Sequence, residues 1–177
     1  GHGRANADSH HKLPVVDTSR AELEATDFAA FRPLAGLPLG MTAHVVFSAI
    51  DARAPATTSV TMVRDVIRGF IGFDGLLMSD DVSMNALSGT IAERSAAALT
   101  AGCDVVLHCN GDLAEMTQVA AAVPELSGLA AVRADAALAA RGAREDFDVS
   151  EARAVFNEMV APKDGPGRLA SQRITGS

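Results

Sequence analysis

Gly75-Leu76-Leu77-Met78-Ser79-Asp80-Asp81-Val82-Ser83-Met84 decides how this chain reads. A hydrophobic run leads straight into Ser79-Asp80-Asp81. That is the pattern of a parallel strand buried on both faces and ending in carboxylates. Side chains alternate along a strand, so Leu76, Met78 and Asp80 share one face and Asp81 points the other way. Asp80 then sits at the mouth of the sheet, while Asp81 faces a helix or caps the next turn. A lone Asp at a strand end is commonly a cap. A pair suits one cap and one group kept for chemistry.

Outward from this run, the pattern alternates. Residues 1–18 read as a loop rich in Gly, His, Asp and Ser. Ser19-Arg20-Ala21-Glu22 is a capping box, and the helix it opens is expected to run to about Arg32, ahead of Pro33. Residues 40–48 read as a strand, 51–59 as a loop, 60–69 as a helix and 75–80 as the second strand. Residues 91–101 form a helix stopped by Gly102, and 103–109 a third strand. Helices are expected over 112–122, 129–141 and 150–160, with a loose tail from 161 to 177. Strand, helix, strand, helix, strand, helix means a parallel α/β sheet built from right-handed crossovers. A closed (β/α)8 barrel takes about 250 residues. Three strands therefore predict part of a TIM barrel, roughly its last three strands with their helices, over residues 1–160. A small open α/β sheet is the other architecture this pattern allows.

Composition narrows the function. The chain has 177 residues, 48 % hydrophobic, enough for a real core and too apolar for a disordered segment. A net charge of −7 argues against nucleic-acid binding, which needs clustered Lys and Arg. No apolar run approaches the ~20 residues of a membrane span. The first residues are polar, so no secretory leader is read there. Cys103 and Cys109 lie along one expected strand, separated by roughly 20 Å at full extension. A disulfide needs Cα atoms within about 7 Å. Free thiols are expected, as in a reducing cytoplasm.

A second segment carries chemistry. In Asp8-Ser9-His10 an extended backbone projects Asp8 and His10 to the same side. A carboxylate bonded to an imidazole fixes its tautomer and raises its pKa. Such a His can protonate a leaving group, then act as base on a water. His2, His10, His11, His44 and His108 raise a metal reading, since barrel hydrolases often hold zinc. No His-x-His stands at a strand end, however, and no metal or other cofactor is expected. His44 lies near its strand end, where it either lines the pocket or packs behind it. Gly1-His2-Gly3 has no strand before it and no helix after it, so it is not a phosphate loop.

These segments, in order, resemble one family. Gly1-His2-Gly3, Asp8-Ser9-His10 and Leu13-Pro14-Val15-Val16-Asp17 are similar to a loop of glycoside hydrolase family 3, of the NagZ β-N-acetylglucosaminidase type. Met41-Thr42-Ala43-His44-Val45 resembles the strand that follows. Gly72-Phe73-Asp74-Gly75 with Ser79-Asp80-Asp81-Val82-Ser83-Met84 resembles the nucleophile segment. Ala101-Gly102-Cys103-Asp104 and Cys109-Asn110 resemble the last barrel strand. The resemblance covers about residues 1–145.

The resemblance implies a retaining glycosidase acting through a covalent glycosyl-enzyme. Asp80 would be the nucleophile, His10 the acid/base on a mobile loop, and Asp8 the partner that orients it. From its place near a strand end, rather than from the resemblance, His44 is the candidate substrate contact. Most retaining glycosidases use two carboxylates, and here a His replaces one of them. The implied substrate is terminal GlcNAc on muropeptides, in cytoplasmic peptidoglycan recycling. The family's Lys-His ahead of this loop, and its earlier sugar-holding Asp and Arg, match no position in this sequence. The expectation is therefore the C-terminal half of the catalytic barrel, completed by an N-terminal half-barrel or by self-association. Two rivals stand beside it: an inactive half that only binds sugar or assembles, and a metal-dependent barrel hydrolase.

Overall fold

The computed structural model describes residues 3–5, 7–143 and 146–161. Expectations placed on Gly1, His2, and the tail from 162 to 177 fall outside the described residues. The chain divides into two compact units, Gly1–Arg141 and Gly142–Ser177.

The first unit is α/β. Its centre is a three-stranded parallel sheet in the order β2, β4, β5, with β2 at Leu39–Met41, β4 at Leu76–Asp81 and β5 at Val105–Leu107. Leu39 pairs with Leu76 and Met41 with Met78, and Met78 pairs with Val105. Two short strands, β1 at Val15–Val16 and β3 at Val46–Phe47, form a separate parallel pair. A π-type helix over Met62–Ile71 precedes β4, and α2 at Ile91–Ala101 connects β4 to β5. These crossovers are why the sheet is parallel.

Local chemistry explains the main boundaries. Thr90 and Glu93 form a reciprocal capping box on α2. Gly102 ends α2 at φ +112°, where an added Cβ would lie 2.9 Å from Val63 Cγ1. Gly75 lets the chain pass tightly under the start of β2, since a Cβ there would lie 2.6 Å from the Leu37 carbonyl oxygen. Helix α3 spans Leu113–Ala122 behind an Asp112 cap, and α4 spans Gly128–Ala139.

The structure departs from the expected elements in three places. The strand expected over 40–48 is two strands in different sheets. After Met41, Thr42 N–H still bonds the Met78 carbonyl, and Val45 N–H then turns back to the Ala43 carbonyl. This turn takes the His44 side chain into the interior. The helix expected to run to Arg32 stops as α1 at Arg20–Ala25, where the Thr26 hydroxyl bonds the Glu22 carbonyl. The chain continues as a 3-10 helix over Ala29–Leu34, with Pro33 inside it. The loop expected over 1–18 contains β1. The described residues thus hold five strands rather than three, two of them only two residues long.

Two apolar clusters support the sheet. Leu23, Phe28, Val45, Met62 and Val66 pack in one, while Val63, Phe73, Leu77, Ala98 and Cys103 pack in the other. Leu77 therefore faces the helices, and Leu76 and Met78 lie on the opposite face. At the base of the sheet Asp104 receives hydrogen bonds from Arg68 at 2.8 Å, Arg133 at 3.0 Å and Leu77 N–H at 2.8 Å. This ties β4, the π-type helix and α4 together.

The second unit contributes α5 at Val149–Val160, capped by Asp148, which accepts from Ser150 and Glu151 N–H. Among the described residues, no helix is long and apolar enough to cross a membrane.

Candidate functional site

Asp80 and Asp81 occupy the carboxyl end of β4, and the strand is irregular just before them. Met78 pairs with Val105, but Asp81 pairs with Leu107, so β4 carries one extra residue. This is a β-bulge at Ser79-Asp80, a device that re-aims a side chain. The fully buried Ser79 hydroxyl accepts the Leu107 N–H at 2.9 Å and replaces the lost ladder bond. Strict alternation thus ends just before Asp81, which a sequence pattern does not reveal.

The two carboxylates have different surroundings. Asp81 Oδ1 accepts from Ser83 N–H at 2.9 Å and Cys109 N–H at 3.1 Å, and Oδ2 accepts the Ser83 hydroxyl at 2.7 Å. Burial opposes its ionisation, but these bonds outweigh it and hold the carboxyl below its ordinary pKa. Asp81 is the structural cap. Asp80 Oδ1 accepts only the neighbouring Asp81 N–H, at 2.8 Å. Its Oδ2 has no hydrogen-bond partner among the described residues. Arg94 on α2 holds the loop beyond, donating to the carbonyls of Val82, Met84 and Gly89.

Asp8 and His10 come together, but through a turn rather than the expected extended backbone: His11 and Lys12 N–H bond the Asp8 carbonyl at 3.1 and 3.0 Å. Asp8 Oδ1 accepts His10 N–H at 2.9 Å and meets His10 Nδ1 at 2.7 Å. A carboxylate only accepts, so Nδ1 carries the proton and Nε2 is left for a reacting group. The bonds to His10 lower the Asp8 pKa. The bond and charge of Asp8 raise that of His10, and the more distant charges of Asp80 and Asp81 add to it. Both side chains are exposed, at 72 % for His10 and 61 % for Asp8. Arg4 fastens this loop to the end of α1 through Asp27 and Glu22, each at 2.8 Å.

His44 is not where a sugar-contacting residue belongs. It is fully buried, and protein groups take both ring nitrogens: Thr57 Oγ1 at 2.8 Å from Nδ1 and the Asp81 carbonyl at 2.9 Å from Nε2. Of the two positions its strand end allows, the structure selects packing behind the pocket and corrects the expected substrate contact. Thr42 and Thr57, both buried, join this network through a 2.9 Å contact between their hydroxyls. Thr57 lay in a segment read as loop, and nothing in its spacing signalled this use.

At the end of β5, His108 Nε2 meets Glu115 Oε2 at 2.9 Å, and its buried Nδ1 has no partner among the described residues. Cys103 is a buried free thiol, its pKa pushed up to about 12 by burial. Cys109 is free and exposed, its pKa raised by local desolvation and then by the charges of Asp81 and Asp80. Among the described residues, no three His, Cys, Asp or Glu side chains gather as a metal site. One groove, of about 520 Å³, is lined by apolar residues such as Phe28, Phe31, Leu39, Met41 and Phe73. Asp8, His10 and Asp80 do not line it.

Comparison with known proteins identifies the family. The glycosyl hydrolase family 3 N terminal domain matches residues 1–140. A β-hexosaminidase of Chromobacterium violaceum is 37 % identical over 175 residues, covering 93 % of this chain and 48 % of that protein. NagZ from Neisseria gonorrhoeae, solved with N-trifluoroacetyl-D-glucosamine, superposes with a TM-score of 0.67 at 32 % identity. That match covers 88 % of this chain and 43 % of the other. A family 3 β-N-acetylglucosaminidase from Paenibacillus sp. str. FPU-7 gives a TM-score of 0.66 at 32 % identity, covering 84 % and 32 %. The chain thus spans no more than about half the length of these relatives. With its family domain matched over residues 1–140 and its parallel sheet ending in Asp80, the chain belongs to glycosyl hydrolase family 3.

Proposed function

We propose that this chain carries the reacting groups of a retaining β-N-acetylhexosaminidase. Asp80 is the nucleophile, His10 the general acid/base, and Asp8 positions His10. The observation that carries the reading is the division of labour at the site. One Asp80 oxygen is anchored and the other is free, while His10 holds Nδ1–H on Asp8 and keeps Nε2 available.

In the first step Asp80 Oδ2 attacks the anomeric carbon. The glycosidic bond breaks, and protonated His10 delivers its Nε2 proton to the departing oxygen. A glycosyl ester on Asp80 results. In the second step neutral His10 takes a proton from water as that water attacks the same carbon. The ester opens, the sugar leaves with its original anomeric configuration, and both groups return to their starting states. His10 adds no second negative charge beside the nucleophile.

We place the first unit of the chain as the C-terminal half of the barrel within the family's N-terminal domain; the expected reach to residue 160 takes in α5, which belongs to the second unit. Support comes from three adjacent parallel strands, where a closed barrel needs eight. The substrate class is terminal N-acetylglucosamine on muropeptides, and the setting is cytoplasmic peptidoglycan recycling. The trifluoroacetyl-glucosamine named with the Neisseria gonorrhoeae protein favours that sugar class. A second reading, an assembly half without turnover of its own, draws on the exposed apolar edge strand β2. Leu39 is 48 % and Met41 55 % exposed.

A fluorinated N-acetylglucosamine donor that traps glycosyl-enzymes, followed by peptide mass spectrometry, tests the proposal. A stoichiometric adduct on Asp80, lost in Asp80→Ala, is expected. A label on another carboxylate removes Asp80 as nucleophile. No label on the chain, when it labels once joined to a complementary half-barrel, selects the assembly reading.

A further inference from the structure

The buried polar groups behind Asp80 form one connected chain whose two ends return to the same strand. Asp80 N–H donates to Thr42 Oγ1 at 3.2 Å. Thr42 and Thr57 share a hydroxyl–hydroxyl bond of 2.9 Å, Thr57 meets His44 Nδ1 at 2.8 Å, and His44 Nε2 meets the Asp81 carbonyl at 2.9 Å. His44 and Thr57 are fully buried and Thr42 is 7 % exposed, so most of this chain of groups is screened from water.

Proton bookkeeping gives the chain a direction. A carbonyl only accepts, so His44 Nε2 carries a proton and donates it. Asp80 N–H only donates, so Thr42 Oγ1 accepts there and passes its own proton to Thr57. Thr57 passes its hydroxyl proton to His44 Nδ1. Each donor then meets one acceptor, and no buried hydroxyl is wasted.

The two ends grip the backbone on either side of one peptide. Thr42 holds the Ser79–Asp80 peptide through its N–H, and His44 holds the Asp81–Val82 peptide through its carbonyl. Between them lies the Asp80–Asp81 peptide, whose N–H anchors Asp80 Oδ1 at 2.8 Å. This is also where the bulge has removed the regular ladder. A bulge supplies a new side-chain direction but not the rigidity to keep it.

We propose that His44, Thr57 and Thr42 are positioning residues that hold the bulged Asp80–Asp81 backbone and so fix the direction of the Asp80 carboxylate. The kinetic consequence rests on Asp80 being the nucleophile, while the brace itself does not. A nucleophile held within a near-attack arrangement reacts faster than one that swings, without binding substrate more tightly. The network should therefore act on kcat and leave KM nearly unchanged.

The test uses the full chain, uniformly labelled with 15N and 13C, with Thr57→Val and Thr57→Ser beside the wild type. Valine keeps the shape of threonine and removes the hydroxyl. Serine keeps the hydroxyl, and its retention of native behaviour separates loss of the relay from loss of packing. The wild-type His44 ring should show a protonated Nε2 and an unprotonated, hydrogen-bonded Nδ1. Thr57→Val should shift Nδ1 and raise Asp81 amide exchange by about tenfold or more, while Thr57→Ser stays near wild type. A His44 ring protonated on Nδ1 instead, or Asp81 exchange unmoved in Thr57→Val, overturns the brace.

Hydrolysis of 4-nitrophenyl N-acetyl-β-glucosaminide gives the kinetic arm. Thr57→Val should lose about 10- to 100-fold in kcat with KM within about twofold, and Thr57→Ser should recover most of it. A loss confined to KM, or no loss in kcat, overturns the positioning role. A wild type that shows the ring and exchange signature but labels no carboxylate, either alone or joined to a complementary half-barrel, sinks the glycosidase reading and leaves the brace standing.

Discussion

His10 Nε2 has no hydrogen-bond partner among the described residues, while Nδ1 is committed to Asp8 at 2.7 Å. Removing the imidazole should therefore cost most where the leaving group most needs a proton. His10→Ala is expected to lose at least about 100-fold in kcat/KM on a disaccharide and far less on a nitrophenyl glycoside. Equal losses on both would remove its proton-donor role. The pH dependence follows from the same bond. Asp8 raises the His10 pKa above its ordinary value of about 6.5. The acid form of His10 is the one that starts the reaction, so activity should persist above that pH and fall as His10 deprotonates. Asp8→Asn removes the charge, and the alkaline limb of kcat/KM should move to lower pH. A limb that stays in place, or moves upward, contradicts the pairing. Both groups are solvent-exposed, so their bond is expected to set reactivity rather than stability.

Among the elements, β4 carries the most responsibility and was the most legible. Its hydrophobic run and terminal carboxylates are written in consecutive residues, and the observed strand, Leu76–Asp81, lies within one residue of the expected bounds. Helix α2 was equally plain, its observed bounds matching the expected 91–101 and Gly102 marking its end. The stretch from Leu39 to Phe47 was not. Its residues all suit a strand, and only the inward pull of His44 toward Asp81 and Thr57 divides it. Those partners are 37 and 13 positions away, beyond any local pattern. Asp104 shows the same long reach with an energetic cost. Its side chain is 6 % exposed and receives Arg68 and Arg133, themselves 17 % and 19 % exposed. Asp104→Ala would leave two poorly hydrated guanidinium groups and the Leu77 N–H without this acceptor. A loss of about 3 kcal/mol in unfolding free energy is expected from urea denaturation. A change under about 0.5 kcal/mol would show that water replaces the carboxylate freely.

At the scale of the whole chain, an edge strand dominates. β2 pairs only with β4 among the described residues and presents Leu39 and Met41, with Leu34 and Leu37 exposed nearby. An open apolar edge of this kind templates association. The weight-average mass of the isolated chain should rise with concentration in sedimentation velocity, and Met41→Lys should reduce that rise. A wild type that stays monomeric at high concentration would show the edge to be covered already. The family match over residues 1–140 and the compact unit ending at Arg141 nearly coincide.

The sequence by itself determined the α/β class, the family resemblance, the Asp8–His10 spacing and the carboxylate pair at a strand end. Each depends on residues close together in the chain, where hydrophobic periodicity and short-range geometry act. Only the tertiary structure decided which carboxylate is the cap, where β4 bulges, and that His44 braces the strand from behind. Those outcomes depend on hydrogen bonds that form when Thr42, Thr57 and Leu107 are folded against Ser79, Asp80 and Asp81. Buried polar groups take whichever partner the fold brings within reach, and no local pattern records that choice.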